Sequence, residues 1–403
     1  MADKQKIIIY GAGQMARIAI LSLKELLEDF ENQVIGCVVT SVENNPRVIE
    51  NLNVHDLDYY KNYGNNFLYL IAVRERFRTQ IIEELKNRGI NNLEIFEYQK
   101  YKELLEKLLI SQNKDRYKEF VDNFDDSILS DEDYILFLSR QLKVGTLNFE
   151  VNLAEHCNLN CQCCNHFSPL AEKKFLDCTV LENDLKQLNK VLDIDNAIGK
   201  VMLLGGEPLL HPYIERILKI SGKYLSTAKL EVVTNGILIP KMSLEFWELL
   251  RKYNIGLIVT KYPIKYDYTL AEKVAEENGI IISYGDSYEP IKTTYHLPIK
   301  DEPEFNPYSM YAKCKHANQC VVLKKGHLYT CPLAANIEHY NKYFEKHIPE
   351  GEEVSIDIYK INTWKEAEEF LKRPNKMCCH CDICHYTYDI PWAISKREML
   401  EWS

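Results

Sequence analysis

Basic charge is in short supply in this chain: 49 Lys and Arg stand against 59 Asp and Glu, a formal net charge of -10. Nucleic acids and anionic membranes select proteins with a basic patch or tract, and none is present, so neither is expected as a partner. No apolar run approaches the roughly 20 residues that span a bilayer. The opening MADKQKIIIY runs into a strand-like segment without the apolar core of a secretory signal. Internal repeats, heptads and low-complexity tracts are also missing, which excludes solenoids, coiled coils and disordered tails. The expected location is the cytoplasm.

What is present is ordinary globular material, 46% hydrophobic and 27% charged. At 403 residues the chain exceeds what one core usually serves, so two or more domains are expected. Cysteine is abundant, at thirteen residues. In a reducing compartment such thiols serve as metal ligands or catalytic groups rather than disulfides. Cys37 and Cys178 stand alone. The others form an early group (Cys157, Cys161, Cys163, Cys164) and a late group (Cys314, Cys320, Cys331, Cys378, Cys379, Cys381, Cys384), which suggests two metal sites.

The hydrophobic pattern predicts an α/β protein. KIIIYGAG, QVIGCVV and NNFLYLIAV read as strands, with QMARIAILSLKELLEDF and RERFRTQIIEELKNRG as helices between and after them. This alternation predicts a Rossmann-like parallel sheet over residues 1–100, followed by a helical connector over 101–145. Residues 146–295 resume the alternation (LNFEVNLAEHC, KVMLLGGEPL, AKLEVVTNGI, NIGLIVTKYP, GIIISYG) and predict a partial (β/α)6 barrel, whose ligands would gather at the strand C-termini. Residues 296–403, irregular and rich in Tyr, Pro, Cys and His, read as a small cysteine-rich domain stapled by metal.

The stretch EHCNLNCQCCNHF places Cys157, Cys161 and Cys164 in C-x3-C-x2-C spacing just after the first barrel strand. Three thiolates in one loop can hold three irons of a four-iron cluster and leave the fourth open to a cofactor or substrate. Zinc is the competing occupant, with His156 and His166 flanking the loop.

The loop resembles the signature of the radical S-adenosylmethionine (SAM) superfamily. LLGGEP, with Gly205, Gly206 and Glu207, is similar to that family's glycine-glycine-glutamate motif, and VVTNG, with Asn235 and Gly236, is similar to the end of its third strand. The resemblance implies a [4Fe-4S] cluster on Cys157, Cys161 and Cys164, and SAM contacted through Gly205, Gly206, Glu207 and Asn235. It implies a catalytic sequence in which reductive cleavage gives a 5'-deoxyadenosyl radical that abstracts a substrate hydrogen. A flavodoxin or ferredoxin would supply the electron. One departure stands out: where much of the family has an aromatic residue before the third ligand, this chain has Cys163. Cys163 is expected to line the site without binding iron, and an exchange of roles with Cys164 stays open.

In the late group, CVVLKK and HLYTCP flank a turn at Gly326, so Cys314 and Cys331 bracket a hairpin, and MCCHCDIC follows. Two hairpin thiols meeting a C-x2-C pair suit a closed four-thiolate site, for zinc or for iron and sulfur. The arrangement is similar to the SPASM and twitch extensions of radical SAM enzymes, and the cysteine count favours the one-cluster twitch form. The expected ligands of this auxiliary [4Fe-4S] cluster are Cys314, Cys331, Cys378 and Cys381, with Cys320, Cys379 and Cys384 as competitors.

In YGAGQMA, Gly11 and Gly13 open a helix where backbone N–H groups favour a phosphate. The second strand ends in Thr40 and Ser41, with Glu43 further on, a poor match to the acid that holds the ribose of NAD. The segment resembles the domain that precedes sugar acyltransferases, which implies contacts from Gly11, Gly13 and Arg74 to a nucleotide sugar. A purely structural domain is the other reading. His211, Tyr262, Tyr284 and His296 are candidates for the barrel mouth, and Cys178 could donate a hydrogen atom or simply pack as a small apolar side chain. The expected function is hydrogen abstraction from a carbohydrate or nucleotide sugar, ending in oxidation or epimerisation. Radical modification of a ribosomally made peptide is the alternative enzyme reading, and a zinc or redox-sensing protein the non-enzyme one.

Overall fold

A computed structural model describes residues 5–42, 45, 48–142, 146–192, 197–284, 293–317 and 320–403. Glu43 lies outside them. The chain divides into two compact units, Met1–Asp122 with Leu129–Lys143, and Asn123–Ile128 with Val144–Ser403.

The first unit comprises β1 (Ile7–Tyr10), α1 (Gln14–Leu26), α2 (Phe30–Gln33), β2 (Val34–Val39), β3 (Val48–Ile49), β4 (Leu52–Asp56), β5 (Leu68–Ile71), α3 (Glu75–Asn87), β6 (Leu93–Ile95), most of α4 (Lys102–Asn123) and α5 (Asp131–Gln141). Its sheet runs β3-β4-β2-β1-β5-β6. All pairs are parallel except β3 with β4. IIIY and LYLI are near-continuous apolar runs because helices cover both faces of such a sheet. Arg17, buried on α1, ties that helix to α5 by donating to the Ser139 carbonyl (2.6 Å) and also pairs with Glu50 (2.7 Å). A Ser130–Asp133 capping box starts α5, and Asn113 breaks helical geometry inside α4.

The second unit contains β7 (Thr146–Ala154), α6 (Cys178–Val191), β8 (Ala197–Gly205), α7 (Ile214–Tyr224), β9 (Lys229–Thr234), α8 (Leu244–Lys252), β10 (Gly256–Val259), α9 (Tyr268–Glu277), β11 (Ile282–Tyr284), β12 (Thr293–His296), α10 (Pro307–Lys313), β13 (Val321–Lys324), β14 (His327–Tyr329), α11 (Pro332–Phe344), β15 (Ser355–Asp357), α12 (Trp364–Leu371) and β16 (Thr387–Pro391). Its main sheet runs β11-β10-β9-β8-β7-β13-β14-β15. The strands from β11 to β13 in that order pair in parallel. Five of these six alternate with helices, and the sixth, β13, comes from the late-cysteine hairpin. The turn of that hairpin is Lys325–Gly326, both at positive φ (49° and 77°). Two residues of that hand match the twist of the flanking strands.

Amphipathic helices cover the sheet. On α7 the buried residues include Ile214, Ile217 and Leu218, and on α8 Phe246, Trp247, Leu249 and Leu250. Cys178 is buried in the same core, packing as an apolar side chain. Parallel strands end on one edge, so the segments after Ala154, Gly205, Thr234 and Val259 gather there. Among the described residues no helix is long and apolar enough to cross a membrane.

Candidate active site

At that edge lies a cavity of about 200 Å³, lined by Cys157, Cys161, Cys163 and Cys164 from the loop after β7, by Gly205 and Gly206 after β8, and by Asn235 after β9. Tyr262, Thr294, Tyr295 and Trp392 complete its wall. The thiols of Cys157, Cys161 and Cys164 feel one another's charge, and all three bear on the Tyr262 hydroxyl.

Each of the three meets a hydrogen-bond donor suited to a thiolate. Leu159 N–H donates to Cys157 Sγ (3.3 Å) and Asn235 Nδ2 approaches it at 3.8 Å. Backbone groups of His166, Phe167 and Ser168 donate to Cys164, and Tyr262 hydrogen-bonds Cys161. Burial pushes the Cys157 and Cys164 thiols up, so a bound cation must replace their protons. Cys163 also lines the cavity, with its backbone at φ 56° and its thiol raised by burial to about 11.

The two glycines are explained by the cysteine loop itself. A Cβ on Gly205, at φ 122°, would meet the Ala154 carbonyl oxygen at 2.5 Å, and one on Gly206 would meet that of His156 at 2.1 Å. The loop therefore crosses directly over the Gly205–Gly206 backbone. Glu207 is fully buried and does not line the cavity. It accepts hydrogen bonds from Leu209 N (3.0 Å), Thr234 Oγ1 (2.6 Å) and Asn235 N (3.0 Å), clamping the end of β9 to the turn after β8. Burial raises its carboxyl to about 7 against those three donors. Asn235 passes the constraint on, donating to Asn158 Oδ1 (2.6 Å).

The base of the loop is tied to the late-cysteine hairpin. Lys324 of β13 and His339 of α11 both donate to Glu155 Oε2, at 3.0 and 2.9 Å. Burial alone would raise the Glu155 carboxyl, but these two partners outweigh it and hold it down to about 2. Its ionised form is thus favoured by the fold. That contribution is complete above the ordinary carboxylate range near 4.5 and disappears as pH falls towards 2, a loss of about 3 kcal/mol. Glu155→Gln should remove this acid sensitivity and destabilise the protein by about 3 kcal/mol at pH 7, because the buried Lys324 keeps only the more exposed Glu338 as a counter-charge. Chemical denaturation at pH 7 and pH 3 reads both effects; identical wild-type and variant curves would refute the role.

Among the other candidates, Tyr262 lines the cavity, whereas His211, Tyr284 and His296 do not. His211 bonds the Leu176 carbonyl and Tyr284 bonds Glu272. Beside His296, Tyr295 faces the cavity. His166 lines it too, and burial holds its imidazole down to about 4. Thr294, Tyr295 and Trp392 carried no local signal in the sequence, being single residues in otherwise ordinary strands and loops.

The late thiols converge in a second place. Cys314 caps α10 and accepts from His316 N (3.4 Å) and Ala317 N (3.3 Å), and Cys331 caps the start of α11. Cys378 lies within a short 3-10 turn, Lys376–His380, and Cys381 follows it; the charges of Cys331, Cys378 and Cys314 all bear on Cys381. Cys320 hydrogen-bonds Glu150 and senses Cys331 and Cys314; Cys379 donates to the Lys376 carbonyl, and Cys384 is exposed. A tetrahedral zinc site brings its sulfurs within about 3.8 Å of one another. Among the described residues, the groups of three or more metal-binding side chains with ligand atoms within 4.8 Å contain no cysteine.

In the first unit, Gly11 sits at φ 133° and Gly13 starts α1. Thr40, at the end of β2, bonds Tyr10 and Glu84.

Residues 151–265 match the family model of the Radical SAM superfamily. GTP 3',8-cyclase of Trichodesmium erythraeum (strain IMS101) is 27% identical over 148 residues, 35% of this chain and 45% of that protein. GTP 3',8-cyclase of Microcystis aeruginosa (strain NIES-843) is 33% identical over 109 residues, 27% of this chain and 33% of that protein. The chain thus spans less than half the length of these relatives. Among solved structures, BtrN in complex with AdoMet and 2-DOIA covers 58% of this chain and 92% of its own, with 17% identity and a TM-score of 0.35. The structure of anSMEcpe with bound AdoMet covers 57% and 81%, with 13% identity and a TM-score of 0.37. Radical SAM enzymes work with a [4Fe-4S] cluster and SAM, and the three-thiol cavity has the donor set for such a cluster. The chain carries a radical SAM domain at residues 151–265.

Proposed function

We propose that this enzyme cleaves SAM reductively and uses the resulting radical on a carbohydrate or nucleotide sugar, ending in oxidation or epimerisation. The observation that carries the SAM step is the convergence of Cys157, Cys161 and Cys164 with the Gly205–Gly206 edge on one cavity. Those thiols would hold the catalytic cluster, which supplies the electron for SAM cleavage, while Cys314, Cys331, Cys378 and Cys381 would hold a twitch-like auxiliary cluster able to accept an electron. Asn235 and Tyr262 steady the ligand thiols by hydrogen bonds, and Tyr262, Tyr295 and Trp392 keep water from the reacting centre. The glycine turn at Gly11 and Gly13, in a parallel sheet resembling the Rossmann type, supports a sugar-nucleotide contact through phosphate.

The test is release of 5'-deoxyadenosine by anaerobically reconstituted protein with SAM, a reductant and a panel of nucleotide sugars. A rise of at least tenfold with one sugar is expected. Release indifferent to every sugar would overturn the substrate class and direct the search to peptides. Changing Cys314 and Cys331 together to alanine should lower iron by about four per chain while leaving SAM cleavage measurable; unchanged iron would refute the second cluster.

A further inference from the structure

One wall of the cavity lies outside every motif. Residues 393–395 run along the cysteine loop as a short antiparallel ladder: Gln162 N donates to the Ala393 carbonyl (2.9 Å), Ser395 N donates to that of Asn160 (2.8 Å), and Cys161 bridges Ile394. In this register Trp392 stands opposite Cys163, which has no ring of its own, and both line the cavity. Trp392 packs against Tyr262, with centroids 5.8 Å apart and planes at 64°. Its indole Nε1 is buried without a hydrogen-bond partner among the described residues. Among the described residues the indole's ring packing on Tyr262 is the contact that places it, since its N–H has no partner there.

We propose that Trp392, together with Tyr262, forms the aromatic wall that receives the purine ring of SAM, so that the C-terminal segment completes the cofactor site. This rests on the SAM reading of the cavity given above. Purine rings gain affinity from aromatic faces largely through stacking, which any aromatic side chain of sufficient size provides and an aliphatic one does not.

The experiment is equilibrium dialysis of labelled SAM against the anaerobically reconstituted full chain, with iron content measured for every sample. Trp392→Phe is expected to bind SAM within about threefold of wild type. Trp392→Leu, apolar but without a ring face, should bind about tenfold more weakly at unchanged iron. Equal affinities for the two variants would overturn the proposal, as would a Trp392→Leu protein that loses iron along with SAM, since the residue would then serve the loop rather than the ligand. Failure of the wild-type protein to bind SAM would bring down the reading of the cavity itself, a result read before any variant is compared.

Discussion

Alanine at Cys157, Cys161 or Cys164 is expected to abolish SAM cleavage, with 5'-deoxyadenosine falling at least a thousandfold in each variant. The three thiols share one loop and one cavity, and each is met by donors that stabilise a bound thiolate. A cluster with three protein ligands cannot give one up and keep an iron free for SAM, so the loss is all or nothing rather than graded. Iron should fall by about four per chain in each variant. Cys163→Ala is the internal control, expected to retain iron and substantial cleavage. The backbone N–H groups of His166, Phe167 and Ser168 are gathered on Cys164, which supports the proposal that the third ligand is Cys164. Full activity in any of the three ligand variants, or loss of iron in Cys163→Ala alone, would reverse the assignment.

Gly206→Ala should be nearly as damaging, although the residue binds no metal. An added methyl would stand 2.1 Å from the His156 carbonyl oxygen and 2.9 Å from the Cys157 nitrogen, both backbone atoms without the freedom of a side-chain tip. The loop bearing the first ligand would have to lift away, and with it the geometry of all three thiols. We expect a loss of about 3 kcal/mol in stability, and cluster incorporation below a tenth of wild type. Thermal unfolding and iron analysis of the reconstituted variant measure the two effects separately. Wild-type iron content with normal cleavage would show that the loop and the β8 turn are not coupled as described.

Glu207 belongs to the same assembly. Both its oxygens accept hydrogen bonds, Oε1 from Leu209 N and Thr234 Oγ1 and Oε2 from Asn235 N. Its effect on the cavity passes through Asn235, which reaches Asn158 and the Cys157 thiol.

The parts of this protein that its sequence determined are those whose physics is local. Three cysteines within eight residues must share a site because the chain between them is too short to separate them. The alternation of apolar runs with amphipathic segments dictated strands and helices, since each must bury one face, and the Lys325–Gly326 turn follows from the two-residue connection between β13 and β14. Tertiary structure alone decided which distant residues meet those local features. Trp392 lies more than two hundred residues beyond the cysteine loop, and only the ladder at Cys161 and Ile394 brings it to the cavity. The tie from Glu155 to Lys324 and His339, the choice of Tyr295 over His296, and the grouping of Cys314 and Cys331 with Cys378 and Cys381 depend likewise on strand order and register. Neither composition nor periodicity encodes these, because hydrophobic burial is non-directional and specifies that a face is covered without specifying by what.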